Sequence, residues 1–330
     1  MEINVAVIGM GYWGKNLVRN FNRLGVLSAI CDADSHRESL VKEEYSGTHF
    51  TNNFQSILDD KNIHAVAIST PVASHFELAA AALKAGKEVF VEKPLALTIG
   101  EGEKLNNLAQ ANKRLLMVGH ILRYHPAIIK LKELIDDGSL GNLQYIYSNR
   151  VSLGRIRTEE NILWSFAPHD ISVILGLMDE FPERVSCNGG TYLSSDVPDV
   201  TLSEFSFPSG VHAHIFVSWL HPFKEQRLVV IGSEKMAVFD DTADQKLVLF
   251  PHRVEWKGKV PTAVKAEGET VSITPSEPLL NECRHFVECI EKNEKPLTDG
   301  EEGLRVLTIL NLCQQSLDNL GQPMDYVTSK

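Results

Sequence analysis

The chain has 330 residues and a mass of 36.7 kDa, with 43% hydrophobic and 23% charged residues. That is the balance of a globular protein long enough to bury its own core. Against 43 Asp and Glu it carries only 32 Lys and Arg, a formal charge of −11, which with no basic cluster argues against nucleic-acid binding. No apolar run is long enough to span a bilayer and no basic, apolar leader opens the chain, so no membrane association is expected and a cytoplasmic setting is.

In the first third, strand and helix patterns alternate. Residues 3–8 are a largely apolar strand, 12–24 a helix and 27–31 a second strand that ends at Asp32. Further apolar runs lie at 65–69, 88–91 and 115–118, with helical stretches between them. Ser74 and Glu77 have the spacing of a capping box ahead of an Ala-rich helix that Gly86 closes, and Thr98 with Glu101 repeats it. Apolar strands alternating with amphipathic helices predict an α/β domain whose parallel sheet is covered on both faces. After His120 the pattern changes. A helix over 126–137 leads into strand patterns from 143, with runs at 201–207, 211–219, 226–231, 236–240 and 247–250 and turn signals at 208–210 and 232–233. This predicts an α+β domain with a large, mostly antiparallel sheet. The polar stretch 260–274 reads as a loop, and 280–292 and 301–320 as helices. Cys31, Cys187, Cys283, Cys289 and Cys313 form no C-x-x-C pair and are odd in number, so they read as reduced thiols.

The segment Gly9-Met10-Gly11-Tyr12-Trp13-Gly14 follows the first strand and opens a helix, the setting in which G-x-G-x-x-G binds a dinucleotide. Gly9 permits the tight turn, Gly11 lets the backbone approach a pyrophosphate, and Gly14 lets helix and strand pack closely. The helix N-terminus offers unpaired N–H groups to that anion. Asp32, at the end of the second strand, would accept from ribose hydroxyls and repel a 2′-phosphate, so NAD is the expected cofactor; nearby Arg37 leaves NADP open. Glu92-Lys93-Pro94 ends the strand at 88–91, and ligands of open α/β sheets bind beyond such strand ends. There the Lys93 ammonium could hold a substrate hydroxyl and stabilise alkoxide charge; taken alone, it could equally be a solvated surface lysine.

Gly9–Gly14, Asp32, Ser69-Thr70-Pro71 with His75, Glu92-Lys93-Pro94 and the switch to an antiparallel sheet together resemble the Gfo/Idh/MocA oxidoreductases. The resemblance implies an NAD(P)-binding Rossmann domain over 1–120 and a C-terminal α+β substrate and oligomerisation domain over 121–330. It further implies an open-faced sheet joining copies into a homodimer or homotetramer, and redox chemistry on a sugar-like hydroxyl. By resemblance, Ser69, Thr70 and His75 line the cofactor, with Glu92 and Lys93 near the nicotinamide; within the glycine loop Tyr12 is expected to bind the dinucleotide, and Trp13 is either a cap over it or a helix-core residue. His169, in Trp164-Ser165-Phe166-Ala167-Pro168-His169-Asp170, sits at the start of a helix as general acid/base. Asp170 either orients that imidazole or caps the helix.

One position departs from the pattern. Inositol- and glucose-type members carry Asp four residues before the histidine, where this chain has Ser165. A serine hydroxyl carries no charge near neutral pH. The segment W-x-x-A-P-H-D-I instead resembles a subgroup that oxidises C3 of UDP-N-acetylglucosamine or its uronate in surface polysaccharide biosynthesis. His120 and Arg123, by family position, and Arg150, Arg155 and Arg157, whose guanidinium forks suit diphosphate or carboxylate, are the expected substrate contacts, with Tyr124 and His125 also within reach. The arginines could equally be solvated or paired with Glu159 and Glu160. A free-sugar or inositol dehydrogenase, or a cofactor-binding regulator without turnover, are the competing readings. His212 and His214 share a strand face but find no third ligand nearby in sequence except His221, and no metal is expected.

Overall fold

The computed structural model describes residues 3–154, 156–158, 160–193 and 196–326. Contacts divide the chain into two units. One takes the residues up to Tyr124 together with Ser276–Thr308; the other takes His125–Pro275 and the stretch from Ile309.

In the first unit, runs of fully buried aliphatic residues become strands because only a sheet covered on both faces hides them all. The strands are β1 (Val5–Ile8), β2 (Leu27–Cys31), β3 (His49–Thr51), β4 (Ala65–Ile68), β5 (Glu88–Glu92) and β6 (Leu116–Gly119). They pair in parallel in the order β3-β2-β1-β4-β5-β6. The order reverses between β1 and β4, the switch point where such sheets bind ligands. The helices are α1 (Gly14–Arg23), α2 (Arg37–Glu44), α3 (Phe54–Asp59), α4 (His75–Lys84) and α5 (Ile99–Asn112). Thr98 and Glu101 form the expected capping box on α5. Ser74 does not: its hydroxyl donates to Thr70 Oγ1 and to the Pro71 carbonyl, so α4 starts without a side-chain cap.

From the sequence, residues 280–292 are expected in the second domain. The helix they form returns to the first unit, because one face of it is apolar and that unit's core is incomplete without it. Phe286 meets Phe21 and Phe90 edge-on, at centroid distances of 6.4 and 5.8 Å, and Leu279, Cys283 and Val287 extend the same buried stripe.

The second unit opens with α6 (Pro126–Asp136), β7 (Leu143–Val151) and α7 (Ile162–Met178). The strands β8 (Arg184–Gly190), β9 (Val200–Ser206), β10 (His212–Ser218), β11 (Glu225–Gly232), β12 (Met236–Asp240) and β13 (Leu247–Phe250) follow. After them come β14 (Arg253–Lys257), β15 (Val260–Val264) and β16 (Glu269–Thr270), then the returning α8 (Pro278–Lys292), α9 (Gly300–Asp318) and β17 (Met324–Asp325). A nine-stranded sheet has the order β16-β13-β12-β11-β7-β10-β9-β8-β17 and is antiparallel except for β7 beside β10. Along β10 alternation decides the faces: Ala213, Ile215 and Val217 are buried, and α7 packs on this strand and on β7 and β9. On the opposite face Tyr147 stacks on His214 at 5.4 Å, and Tyr145 Oη contacts His214 Nδ1.

The stretch expected to be a loop carries structure. Residues 260–264 pair with β14 in a two-stranded ribbon, and β16 edges the large sheet. Both strands of the ribbon are almost wholly exposed, so the sequence shows no buried alternation there. All five cysteines are free and buried. Among the described residues no helix is long and apolar enough to cross a membrane, and no cluster of His, Cys, Asp and Glu could hold a metal ion.

Candidate active site

In the first unit the glycine loop runs from the end of β1 into α1. Gly9 has φ +90°, and a Cβ there would lie 2.9 Å from the Ser69 carbonyl oxygen. A Cβ on Gly14 would lie 2.0 Å from the Gly9 carbonyl oxygen. Both positions therefore exclude any side chain. At Gly11 a Cβ would meet nothing within 4 Å, so the backbone faces open space. No side chain caps the start of α1. An open Cβ position beside an uncapped helix N-terminus fits a pyrophosphate, as a dinucleotide requires.

Asp32 stands at the end of β2. Its Oδ2 accepts from the Met10 amide at 2.6 Å and its Oδ1 from the Asp34 amide at 2.9 Å. Arg37 lies beside it, with Nε 3.4 Å from Asp32 Oδ1 and a nitrogen donating to the Met10 carbonyl. The carboxylate is thus fixed against the loop. Tyr12 is exposed, while the Trp13 indole turns inward and donates to Glu92 Oε1. Trp13 thereby ties the glycine loop to the end of β5.

Glu92 is buried across from Gly119, its register partner on β6. A Cβ on Gly119 would sit 2.8 Å from Glu92 Oε2, so only glycine leaves the carboxyl its place. Burial pushes the Glu92 carboxyl up to about 7, against the opposing pull of the Trp13 bond and the Lys93 charge. Lys93 and Pro94 follow at the strand end. His75 braces this edge: its Nε2 is 2.9 Å from the Thr70 carbonyl and its Nδ1 2.9 Å from that of Pro94. Burial lowers the His75 pKa while the two carbonyls pull the other way. His75 therefore acts as a strut between the segments carrying Ser69-Thr70 and Lys93-Pro94.

His120 follows β6. Its Nδ1 is 2.6 Å from Glu302 Oε2, and Arg123 Nη1 is 3.9 Å from Glu302 Oε1. Two expected neighbours serve structure instead. Tyr124 is buried with its hydroxyl 3.0 Å from Thr298 Oγ1, and His125 caps α6 by accepting from the Ala127 amide at 3.1 Å. Glu302 and Glu282, a buried carboxyl pushed well up by burial and by the charges of Glu92 and Glu302, carried no signal in the sequence.

In the second unit His169 lies well inside α7 rather than at its start, because Asn161, not Pro168, marks the N-terminus: Asn161 Oδ1 accepts from the Trp164 amide at 3.1 Å. Ser165 is buried one turn before His169 on the same helix face. Asp170 is buried and neither caps the helix nor points to an imidazole partner: it accepts from Arg150 Nε at 2.7 Å, from Arg150 Nη2 at 3.2 Å and from Ser148 Oγ at 2.6 Å. Arg150 is 8% exposed and so is held by Asp170 within the unit. Arg157 pairs with Glu160 at the surface. Arg155 lies outside the described residues.

Two family profiles match the chain. The one described as an oxidoreductase family with an NAD-binding Rossmann fold covers residues 3–120, and the GFO/IDH/MocA C-terminal domain covers 128–238. Among curated relatives, the UDP-N-acetylglucosamine 3-dehydrogenase of Acidithiobacillus ferrooxidans is 25% identical, over 93% of this chain and 95% of the relative. The myo-inositol 2-dehydrogenase of Thermotoga maritima is also 25% identical, over 96% of each. A solved structure of the Acidithiobacillus ferrooxidans enzyme superimposes with a TM-score of 0.86 at 23% identity, over 98% of this chain and 99% of the other. A levoglucosan dehydrogenase in complex with NADH and levoglucosan gives 0.85 at 20% identity, over 98% and 99%.

Proposed function

The chain belongs to the Gfo/Idh/MocA oxidoreductase family, and on that premise we propose that it is an NAD-dependent dehydrogenase oxidising C3 of UDP-N-acetylglucosamine or its uronate. The family makes it an NAD(H)-binding oxidoreductase of the sugar and polyol dehydrogenase kind, which sets aside the reading as a regulator without turnover. NAD rather than NADP is supported by Asp32, whose carboxylate is fixed at the loop where a 2′-phosphate would meet it. The nucleotide-sugar substrate is supported by one observation above others. Ser165 stands a helical turn before His169 where the polyol pattern has a carboxylate, in a chain similar over nearly its whole length to a UDP-N-acetylglucosamine 3-dehydrogenase.

NAD, when bound, supplies the hydride acceptor. In the proposed division of labour Lys93 holds the reacting hydroxyl and stabilises its charge as the proton leaves. His169 takes that proton as general base, a task to which an imidazole is suited. Gly9, Gly11, Tyr12, Trp13, Gly14, Ser69, Thr70 and Glu92 form the cofactor-binding edge, with His75 holding that edge in shape.

The inositol-type reading is favoured by a specific observation. Arg150 is neutralised by Asp170 and Arg157 pairs with Glu160, so two of the forks available to a diphosphate are already engaged. Mixing the protein and NAD with UDP-N-acetylglucosamine, its uronate and myo-inositol in parallel, with and without 2-oxoglutarate, decides between them by NADH fluorescence. A signal with a UDP-sugar alone is expected, and sustained product without net NADH on adding 2-oxoglutarate would mean that the cofactor recycles in place. A signal with inositol alone refutes the proposal. In the active pairing, Lys93→Ala should lower turnover about 100-fold or more with NAD affinity retained. The tyrosine- and histidine-bearing face of the large sheet is the proposed contact between copies in a homodimer or homotetramer, which light scattering on the purified protein would test.

A further inference from the structure

We propose that His120 and Glu302 form a positioned histidine–carboxylate pair in which Glu302 fixes the ring so that Nε2 accepts a hydrogen bond from a ligand hydroxyl. The inference rests on the reading of the ligand as a hydroxyl-bearing sugar and adds Glu302 as a positioning residue.

Register places the pair. Glu92 and Gly119 are partners across β5 and β6, so His120 occupies the step beyond β6 that corresponds to Lys93 beyond β5. This is the strand end at which open α/β sheets receive ligands. The ring cannot choose its orientation freely. It is 1% exposed, and its own amide is bonded to the Val118 carbonyl at 2.8 Å. Nδ1 lies 2.6 Å from Glu302 Oε2.

An ionised carboxylate only accepts, so the proton of a neutral ring must sit on Nδ1, leaving the lone pair on Nε2. Arg123, 3.9 Å from the other Glu302 oxygen, favours that ionised state. Glu282, a third carboxyl among these buried groups, is pushed well up by burial and by the charges of Glu92 and Glu302. Among the described residues the buried Nε2 has no hydrogen-bond partner. Native proteins seldom leave a buried acceptor without a donor unless water or a ligand supplies one. The missing partner must be a donor. A hydroxyl fits, whereas a carboxylate or phosphate oxygen would set lone pair against lone pair. Glu302 comes from the first turn of α9, 182 residues further along the chain, so this geometry depends on the C-terminal helix packing into the first unit.

The test begins on ligand-free, full-length protein carrying ¹⁵N-histidine, with His120→Gln to assign the ring signals. The proton is expected on Nδ1 in the wild type, and Glu302→Gln, whose amide can donate as well as accept, should shift it toward Nε2. A wild-type proton on Nε2 overturns the proposal. With NADH bound, adding whichever of UDP-N-acetylglucosamine, its uronate or myo-inositol the wild type turns over should move the Nε2 signal. No movement means that water is the partner and overturns the ligand role. In kinetics, Glu302→Gln should raise the KM for that sugar about tenfold to a hundredfold, the range for one hydrogen bond to a substrate. Its kcat should stay within about threefold and NAD affinity should be unchanged. His120→Gln should match it, and the double variant should be no worse than either single one. Full additivity, or a KM within about twofold of wild type, refutes the positioning role. If the wild type turns over none of the three probes, the substrate reading fails separately, and the ligand-free tautomer still decides the pair.

Discussion

Replacing Glu92 by glutamine should change the pH dependence of folding in a direction and by an amount that the structure sets. The carboxyl is buried, and burial pushes its pKa from the ordinary 4.5 up to about 7. For an acid raised in this way the folded state holds the proton more tightly than the unfolded chain. Its contribution is therefore intact at low pH and is lost as pH climbs from about 4.5 to about 7. Integrating between pH 5 and pH 8 gives a loss of roughly 2–3 kcal/mol from this one group. Glutamine keeps the acceptor for the Trp13 indole but cannot ionise. Relative to wild type, Glu92→Gln should gain roughly 2–3 kcal/mol between pH 5 and pH 8. Taking the difference between the two proteins cancels every other titrating group to first order. Urea unfolding of both proteins at pH 5, 6, 7 and 8, followed by tryptophan fluorescence, reads it directly. A constant difference across the series would mean that Glu92 is ionised in the folded state throughout, and would refute the burial argument.

Gly14→Ala should abolish NAD binding, measured by quenching of tryptophan fluorescence, because its Cβ would lie 2.0 Å from the Gly9 carbonyl and the loop cannot keep its path. Arg150→Ala strands the buried Asp170 charge and should cost about 3–5 kcal/mol in denaturant unfolding. Arg150→Ala paired with Asp170→Asn should recover much of that, whereas a purely ligand-binding Arg150 would leave stability untouched. Asp32→Ala removes the carboxylate that would repel a 2′-phosphate. The ratio of NADP to NAD affinity should rise about tenfold or more, with Arg37 beside it able to meet the phosphate; an unchanged ratio would count against Asp32 as the selector.

The part of the site that was legible in the sequence is the part whose chemistry is local. The glycine loop, the strand that precedes it and Asp32 lie within 28 residues, and each meaning follows from backbone geometry over one turn. The strand β3 was not legible, because three residues at a sheet edge show no period. The ribbon of β14 and β15 was hidden by its exposure on both faces. At Ser74 the capping spacing misled, since Thr70 and Pro71 compete for the same hydroxyl. At Pro168 a residue common at helix starts sits inside one, and the cap lies at Asn161. Arg150 looked available because Asp170, its partner, is twenty positions away on another element. The bond from His120 to Glu302 is still more distant and leaves no mark in either local sequence.

The return of α8 to the first unit bears on how the protein is made. Phe286 completes the aromatic cluster that Phe21 and Phe90 begin, yet it leaves the ribosome only after His125–Pro275, the larger part of the second unit, has been synthesised. At ordinary elongation rates the first six strands then wait roughly 10–30 s for the helix that covers them. During that interval a nascent chain has its dinucleotide loop but exposes one side of its sheet. A gene fragment ending near residue 124 would freeze the protein in that state, with Phe21 and Phe90 open to aggregation.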